Sequence, residues 1–393
     1  MSRHILTVNS GSSSLKFALY RMQQDETRLL AGSLEGIGNG EGRFEVRGGD
    51  GRALVDRQNP LPDHRTALQT LFTWLQAEQP AVRLEAVGHR IVYGGPDFIQ
   101  PHRVTPELVA RLGQLVSFAP DHLPHEIKAI QVVSQDYPGV QQVACFDTAF
   151  HRALPRLARI FPLPRSLEQA GVRRYGFHGL SCEYLLQELE KEAGPQAAGG
   201  RLILAHLGSG ASLTAVSAGR SLDTTMGLTP LGGLVMGTRS GDLDPGVLLY
   251  LLRQPGQSVE TLDHLLNQQS GLLGVSGLSA DMQELLENEE QDPHAAEAVA
   301  LFCYQAKKFL GALAAALGGL DTLVFAGGIG ENAPAIRWRI CQGLEFLGIH
   351  LDAVRNQANA SRISPQGSPV TVRVMKTDEE LMIARHTCSL LNE

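Results

Sequence analysis

The chain has 393 residues, of which 43% are hydrophobic and 19% charged, and its formal net charge is −7. Such a length outgrows one hydrophobic core and predicts two domains, while the acidic balance leaves no electrostatic case for nucleic acid or an anionic membrane as partner. The five cysteines, Cys145, Cys182, Cys303, Cys341 and Cys388, form no CxxC pair and fit reduced thiols better than a disulfide framework or a zinc site.

Residues 5–20, ILTVNSGSSSLKFALY, read as two short strands around a Gly/Ser-rich loop. Residues 36–51, rich in Gly, Glu and Arg, suggest a surface hairpin. Apolar spacing over 65–79 predicts a helix capped by Asp63. A strand follows at EAVGHRIVYGG (85–95), a helix at TPELVARLGQLVSF (105–118) and a strand at QQVACFDTAF (141–150). This alternation predicts a mostly parallel sheet. The most linker-like stretch is EAGPQAAGG, 192–200. Residues 201–220, RLILAHLGSGASLTAVSAGR, then reopen the same plan of apolar run, Gly/Ser hinge and apolar run. The weak echo of NSGSSSLKFAL in LGSGASLTAV suggests a duplicated α/β domain with a cleft between the halves. Helices are predicted near 246–253, 260–267 and 294–317, then a strand at DTLVFAGG, 321–328. The longest apolar run, 309–320, is too short to span a bilayer, and no signal-peptide pattern opens the chain. A cytoplasmic protein is expected.

Several segments carry candidate chemistry. Asn-Ser-Gly at 9–11 is a good turn. Equally, backbone N–H groups in such a loop form an anion-binding nest, to which serine hydroxyls and Lys16 would add donors and a mobile charge. A GxxxxGK(S/T) loop is absent, which disfavours a P-loop fold. LVFAGGIGENAPAIRWRI, 323–340, reads as strand, Gly-rich turn and helix, and satisfies GxGxxA at Gly328, Gly330 and Ala333. Too few residues follow for a Rossmann pair. A nucleotide's ribose or α-phosphate lying across the turn is the better functional reading, against a ligand-free βα turn. MGLTPLGGLVMGTRSGDLDPG, 226–246, is long and irregular. Its Arg239 is either a clamp for phosphate or carboxylate or a structural arginine bonding loop carbonyls. Arg90 ends an apolar strand, and His178 lies among glycines and aromatics. Asp147 follows an apolar run and needs a cation or metal if buried. Glu379 alone reads as an acid in a helix's first turn.

In order along the chain, NSGSSSLKF, GHR, FDTAFH, RRYGFHG, HLGSG, DTTMGLTPL, MGTRSGDLDP, SGLLGVSG, GGIGEN and TDEE resemble the acetate kinase family. That family lies within the superfamily of acetate and sugar kinases, Hsp70 and actin, and the resemblance runs essentially end to end. It implies an α/β fold of two duplicated actin/ribonuclease-H-like domains around a central nucleotide-binding cleft. The expected domains are 1–148, joined by a C-terminal helix 379–393, and a nucleotide-binding domain 149–378. The implied reaction is reversible transfer of a phosphoryl group from ATP to acetate, giving acetyl phosphate and ADP. Mg²⁺ is the implied cation with Mn²⁺ as a substitute, and a homodimer the implied assembly.

By position, the resemblance assigns Asn9 and Glu379 to the metal. It assigns Asn9, Ser12, Ser14 and Lys16 to the nucleotide and its phosphates, with His206, Leu207, Gly208, Ser209 and Gly210. Asp281, Met282 and Gln283, and Gly328, Ile329, Gly330, Glu331 and Asn332, complete the nucleotide set. Arg90, Val92, Asp121, His122, Phe177 and Pro230 are the implied substrate residues. Asp147, His178, Arg239 and Arg90 are the implied catalytic ones. Carboxyls with a pKa of about 4 are ionised near neutrality, so the nucleophile needs positioning and cations, not a base. Asp147 is accordingly expected to orient a partner or link to the metal.

Five positions depart from the family's pattern. Ser209 stands where Asn is usual, Tyr93 and Cys182 where His is, and Gly232 where Glu is. Asp121 stands where Leu usually flanks the substrate's methyl group. Its carboxylate would repel an anionic substrate unless it points away or pairs with His122. Val92 matches the residue that keeps the family's pocket small enough for acetate over propionate, a discrimination of about 1–3 kcal/mol per methylene. The rival readings are a propionate or other short-chain carboxylate kinase and a catalytically silent ATP-binding sensor of the same fold. A nicotinamide enzyme is a more distant third.

Overall fold

A computed structural model describes residues 3–392. The chain divides into two compact units, Met1–Phe150 with Asp378–Glu393, and His151–Thr377.

The first unit is built on an eight-stranded sheet. Its strands are β1 Arg3–Ser10, β2 Ser14–Met22, β3 Thr27–Glu35, β4 Glu41–Gly48, β5 Ala53–Pro60, β6 Leu84–Ile91, β7 His102–Arg103 and β8 Gln141–Phe146, in the spatial order 5-4-3-2-1-6-8-7. β1 to β5 pair antiparallel in sequence order, and only β1–β6 and β6–β8 pair parallel. The sheet is therefore mixed, not mostly parallel. The alternation of strand and helix begins only after β5, and the short links before it permit hairpins alone. Residues 41–48 are likewise an inner strand, not part of a surface hairpin, since Phe44 and Val46 are fully buried.

One face of this sheet packs Leu6, Val8, Phe17 and Phe44 against helix His64–Glu78 and helix Leu123–Asp136. Asp63 caps the first of these, its carboxylate accepting from the Thr66 N–H at 2.8 Å. The opposite face packs Ile5, Ala18, Tyr20 and Met22 against Leu381 and Ala384 of helix Glu379–Leu391. That contact returns the end of the chain to the strands where it began.

The second unit repeats the theme on five strands: β9 Arg201–Leu207, β10 Ala211–Ser217, β11 Arg220–Thr224, β12 Thr322–Ala326 and β13 Thr371–Val374. β9, β10 and β11 form an antiparallel meander, while β9, β12 and β13 run parallel. The β9–β10 hairpin thus stands beside a parallel neighbour just as β1–β2 does, which is the sequence echo in three dimensions. Helix Pro293–Leu317 covers this sheet. The stretch 192–200 is no linker between the units, because it lies inside the second one and holds a short helix, Pro195–Gly199. The predicted Gly-rich turn after β12 is itself helical, Gly327–Asn332, with the change of direction confined to Gly327 at φ +75°. Residues 226–244 carry neither helix nor strand.

Candidate functional site

The NSGSSS stretch is the connection of the β1–β2 hairpin. Ser10 pairs with Leu15, and the Gly11 N–H donates to the Ser14 carbonyl at 2.8 Å. That amide is committed to the turn, so the donors left at the tip belong to the exposed Ser12 and Ser13. Gly11's carbonyl accepts from His64 Nε2 at 2.7 Å, and the His64 ring stacks on His125 with centroids 4.8 Å apart. Lys16 is exposed on β2 and, with Arg28, Arg47, Glu45 and Glu380, lines a cavity of about 420 Å³.

Arg90 is one residue from the end of β6, and three oxygen-bearing side chains converge on it. Asp147, wholly buried just past β8, contacts its Nη2. Asn9 Oδ1 lies 3.4 Å from Nη1, and Glu379 Oε2 lies 3.4 Å from Nε. β1, β6, the end of β8 and the helix Glu379–Leu391 each contribute one member. Burial disfavours the guanidinium's charge, but Asp147 and Glu379 more than offset it, so Arg90 is held firmly cationic. Asn9 and Glu379 offer an amide and a carboxylate oxygen, hard donors that suit a hard divalent cation keeping much of its shell as water or phosphate oxygen. Among the described residues no three His, Cys, Asp or Glu side chains gather to hold a metal ion.

Val92 is buried, two residues beyond Arg90. Asp121 is exposed, and its charge is felt by His125, whose pKa burial and the neighbouring His64 nonetheless lower. His122 is half-buried at the N-cap of helix Leu123–Asp136.

In the second unit the key side chains meet around one glycine. A Cβ at Gly210 would fall 2.8 Å from Arg239 Nη2 and 3.2 Å from His178 Nε2, so only glycine lets both approach the loop after β9. His178 adopts a left-handed conformation, φ +56°, at the N-cap of helix Gly179–Ala193, a rare and costly state for a residue with a side chain. Its Nδ1 is 2.9 Å from Ser212 Oγ and its ring stacks on His206 at 4.2 Å. A Ser212 hydroxyl donating to Nδ1 leaves the imidazole proton on Nε2. Arg239 Nη1 donates to the Pro230 carbonyl at 2.7 Å, a bond of the loop-carbonyl kind. Phe177 is buried, and its carbonyl accepts from His151 Nε2 at 2.9 Å.

The segments singled out for a nucleotide gather on the same side of this unit. Gly327 packs against the Leu207 carbonyl, and Gly237 approaches both the Ser209 and the Ala280 carbonyls. His206 bonds Ser181 at 2.8 Å. Gly208 N–H donates to the Gly210 carbonyl at 3.0 Å, while Ser209, Asp281, Gln283, Gly328 and Asn332 are exposed. Two members are occupied inside the protein. Glu331 accepts from Gly327 N–H at 3.0 Å and Thr377 N–H at 3.2 Å, and Met282 is buried. Ile329 is half-buried and Gly330 buried.

The sequence reading passed over residues that the structure puts beside these groups. Arg337, fully buried, donates to the Gly330 and Glu331 carbonyls at 2.8 and 3.0 Å. Its only sequence signal is a charge on the apolar side of a short helix, level with Ile336 and Ile340. Glu126 reaches the Val92 amide, and Ser212 orients His178. Neither leaves a trace in spacing, because both act across elements distant in the chain.

The family described as the acetokinase family matches residues 4–385. The chain is 48% identical to the acetate kinase of Rhodopseudomonas palustris (strain TIE-1) over 99% of each chain. Its structure is similar to that of Porphyromonas gingivalis acetate kinase, with a TM-score of 0.90, 37% identity and coverage of 99% of this chain and 100% of that one. It is also similar to a propionate kinase from Francisella tularensis subsp. tularensis SCHU S4, with a TM-score of 0.92, 35% identity and 98% of each chain covered.

Proposed function

The chain belongs to the acetokinase family, and on that premise we infer that it is an ATP:acetate phosphotransferase, reversibly converting ATP and acetate to ADP and acetyl phosphate. Its fold is the actin-like α/β fold of the acetate and propionate kinases. It uses ATP and ADP, a small carboxylate and a divalent cation. The observation that carries the assignment of roles is the convergence of Asn9, Asp147 and Glu379 on Arg90.

Arg90 binds and orients the carboxylate of acetate with its charge and planar fork. Asp147 sets the guanidinium's direction. It has no proton to take, because acetate is already ionised near neutrality, as carboxyls with a pKa of about 4 are. Arg239 Nη2 and His178 Nε2, both beside the place a Cβ on Gly210 would take, donate to the oxygens of the phosphoryl group where charge accumulates during in-line transfer. The loop 206–210, the turn 281–283 and the helix 328–332 hold the nucleotide, and Ser12, Ser14 and Lys16 its phosphates. Asn9 and Glu379 are the protein ligands of the cation, Mg²⁺ with Mn²⁺ as a substitute, which when bound neutralises phosphate oxygens. Asp121, being exposed, leaves the acyl pocket apolar.

The active form is a homodimer. Its support is helix Pro245–Leu252, PGVLLYLL, which buries no residue and leaves Leu249 at 55% and Tyr250 at 62% exposure. The enzyme works in the cytoplasm, where its five thiols stay reduced. Among the described residues no helix is long and apolar enough to cross a membrane.

The test is acyl phosphate formation, trapped as the hydroxamate, from acetate, propionate and butyrate with ATP. The reading expects acetate to give the highest kcat/KM, and a preference for propionate of about tenfold overturns it. In the same assay Asp147→Asn is expected to be severely impaired. Near-full kcat there removes Asp147 from the mechanism.

A further inference from the structure

Glu126 is only 3% exposed and takes no part in the chemistry described above. It sits in the first turn of helix Leu123–Asp136. Both its carboxyl oxygens lie 3.1 Å from the Val92 nitrogen, whose N–H they share. The topology explains why an acid is needed there. β6 pairs with β1 only as far as His89 and with β8 as far as Ile91, whose carbonyl then accepts from the Asp147 N–H at 2.9 Å. The Val92 N–H leaves the sheet with no strand to receive it, and a buried amide without an acceptor is costly. The acceptor comes from the helix, through one side chain. The placement of Val92, itself 4% exposed, is therefore set by the helix as well as by the sheet.

We propose that Glu126 is a positioning residue for acyl-chain discrimination: by gripping the Val92 amide it fixes how far the Val92 side chain closes the space beside Arg90, and so sets the preference for acetate over longer carboxylates. This rests on the reading that Arg90 holds the carboxylate and Val92 borders the acyl group. Glu126 and Arg90 also lie close enough for each to influence the other's charge, so losing the carboxyl lowers turnover of every acyl substrate. The chain-length preference is the property that moves only if Val92 moves.

The experiment compares Glu126→Ala, Glu126→Gln and Val92→Ala in the full-length enzyme, measuring kcat/KM for acetate, propionate and butyrate and KM for ATP. In Glu126→Ala the propionate-to-acetate ratio is expected to rise at least about fivefold, within the range one methylene commands. Glu126→Gln keeps an acceptor for the amide, and its ratio stays within about twofold of wild type, with KM for ATP equally steady in both. A uniform fall in kcat with an unchanged ratio in Glu126→Ala means a merely structural role and overturns the proposal. If Val92→Ala shifts the ratio and Glu126→Ala does not, the proposal fails while the pocket reading stands. If Val92→Ala also leaves the ratio unchanged, the pocket reading fails and takes the proposal with it. Should Glu126→Ala not fold, Glu126→Asp, one methylene shorter, replaces it under the same criterion.

Discussion

Replacing Arg337 with Met removes a buried cation that has no carboxylate partner among its hydrogen bonds, yet uses all five of its N–H donors. Nε donates to Asn356 Oδ1 at 2.9 Å, Nη1 to the Gly330 and Glu331 carbonyls, and Nη2 to the Asn356 carbonyl at 2.8 Å and Asn359 Oδ1 at 2.6 Å. The carbonyls of Gly330 and Glu331 end the helix Gly327–Asn332 and have no partner within it. Asn359 holds a left-handed backbone, φ +49°, to present its amide oxygen. Each hydrogen bond to a charged donor is worth about 1.5–3 kcal/mol, and an acceptor left buried and unmet costs about 1–3 kcal/mol. Burial disfavours the cation, bringing its pKa down to about 10, and releasing it offsets part of the loss. A net destabilisation of roughly 3–5 kcal/mol follows.

The two tryptophans separate the units, since Trp74 lies in the first and Trp338 in the second. Urea unfolding followed by Trp338 fluorescence in a Trp74→Phe background reads the affected unit. The midpoint is expected to drop there, and KM for ATP to rise as the helix Gly327–Asn332 loses its anchor. A loss below about 1 kcal/mol would show that the acceptors find other donors, and would refute the reasoning.

Two further outcomes follow from the geometry. Gly210→Ala puts a Cβ 2.8 Å from Arg239 Nη2, the far end of a flexible side chain. Stability is therefore expected to fall by less than about 1 kcal/mol while kcat falls about 100-fold, as befits a misplaced charged group. Wild-type turnover in a folded Gly210→Ala protein would contradict the placement of Arg239. The second outcome concerns pH. Burial lowers the pKa of His89 to about 4. The unfolded chain binds that proton below about 6.5, so the unfolded state holds more protons and stability falls as pH drops from 6.5 towards 4. Burial pushes Glu126 up to about 8. Here the native state holds the extra proton above the usual carboxyl range, so stability falls as pH rises towards 8, by about 2 kcal/mol between 6.5 and 8. Between pH 5 and 6.5 the two opposite slopes nearly cancel. Denaturation at pH 5, 6.5 and 8 is therefore expected to show little change up to 6.5 and then a fall in the wild type, whereas Glu126→Gln unmasks the acid limb and loses the alkaline one. An unchanged alkaline limb in that variant would mean another group titrates there.

Local chemistry was readable without coordinates. The Asp63 cap, the apolar rhythm of 65–79, the two Gly/Ser hinges and the irregular run 226–246 declare themselves through residue type and period. Sheet direction did not. The strand–helix rhythm over 65–150 suggested parallel pairing, but the five hairpin-linked strands before it outweigh it in the sheet. GGIGEN read as a turn because glycine is poor in an isolated helix, whereas here Arg337 and the strands around Leu207 hold those residues in a helical turn.

By itself the sequence determined which groups are available: two arginines, a histidine, an acid after an apolar strand and an acid opening a terminal helix, in an order that marks a family. Only the tertiary structure decided what each one touches. Residues 9, 90, 147 and 379 meet because β1, β6 and β8 are neighbours and the final helix packs on their reverse face. Glu126 and Arg337 matter for a reason no spacing records. A buried amide or carbonyl that leaves its sheet or helix must find a partner wherever one can reach it, and what can reach it is fixed by packing, not by position in the chain.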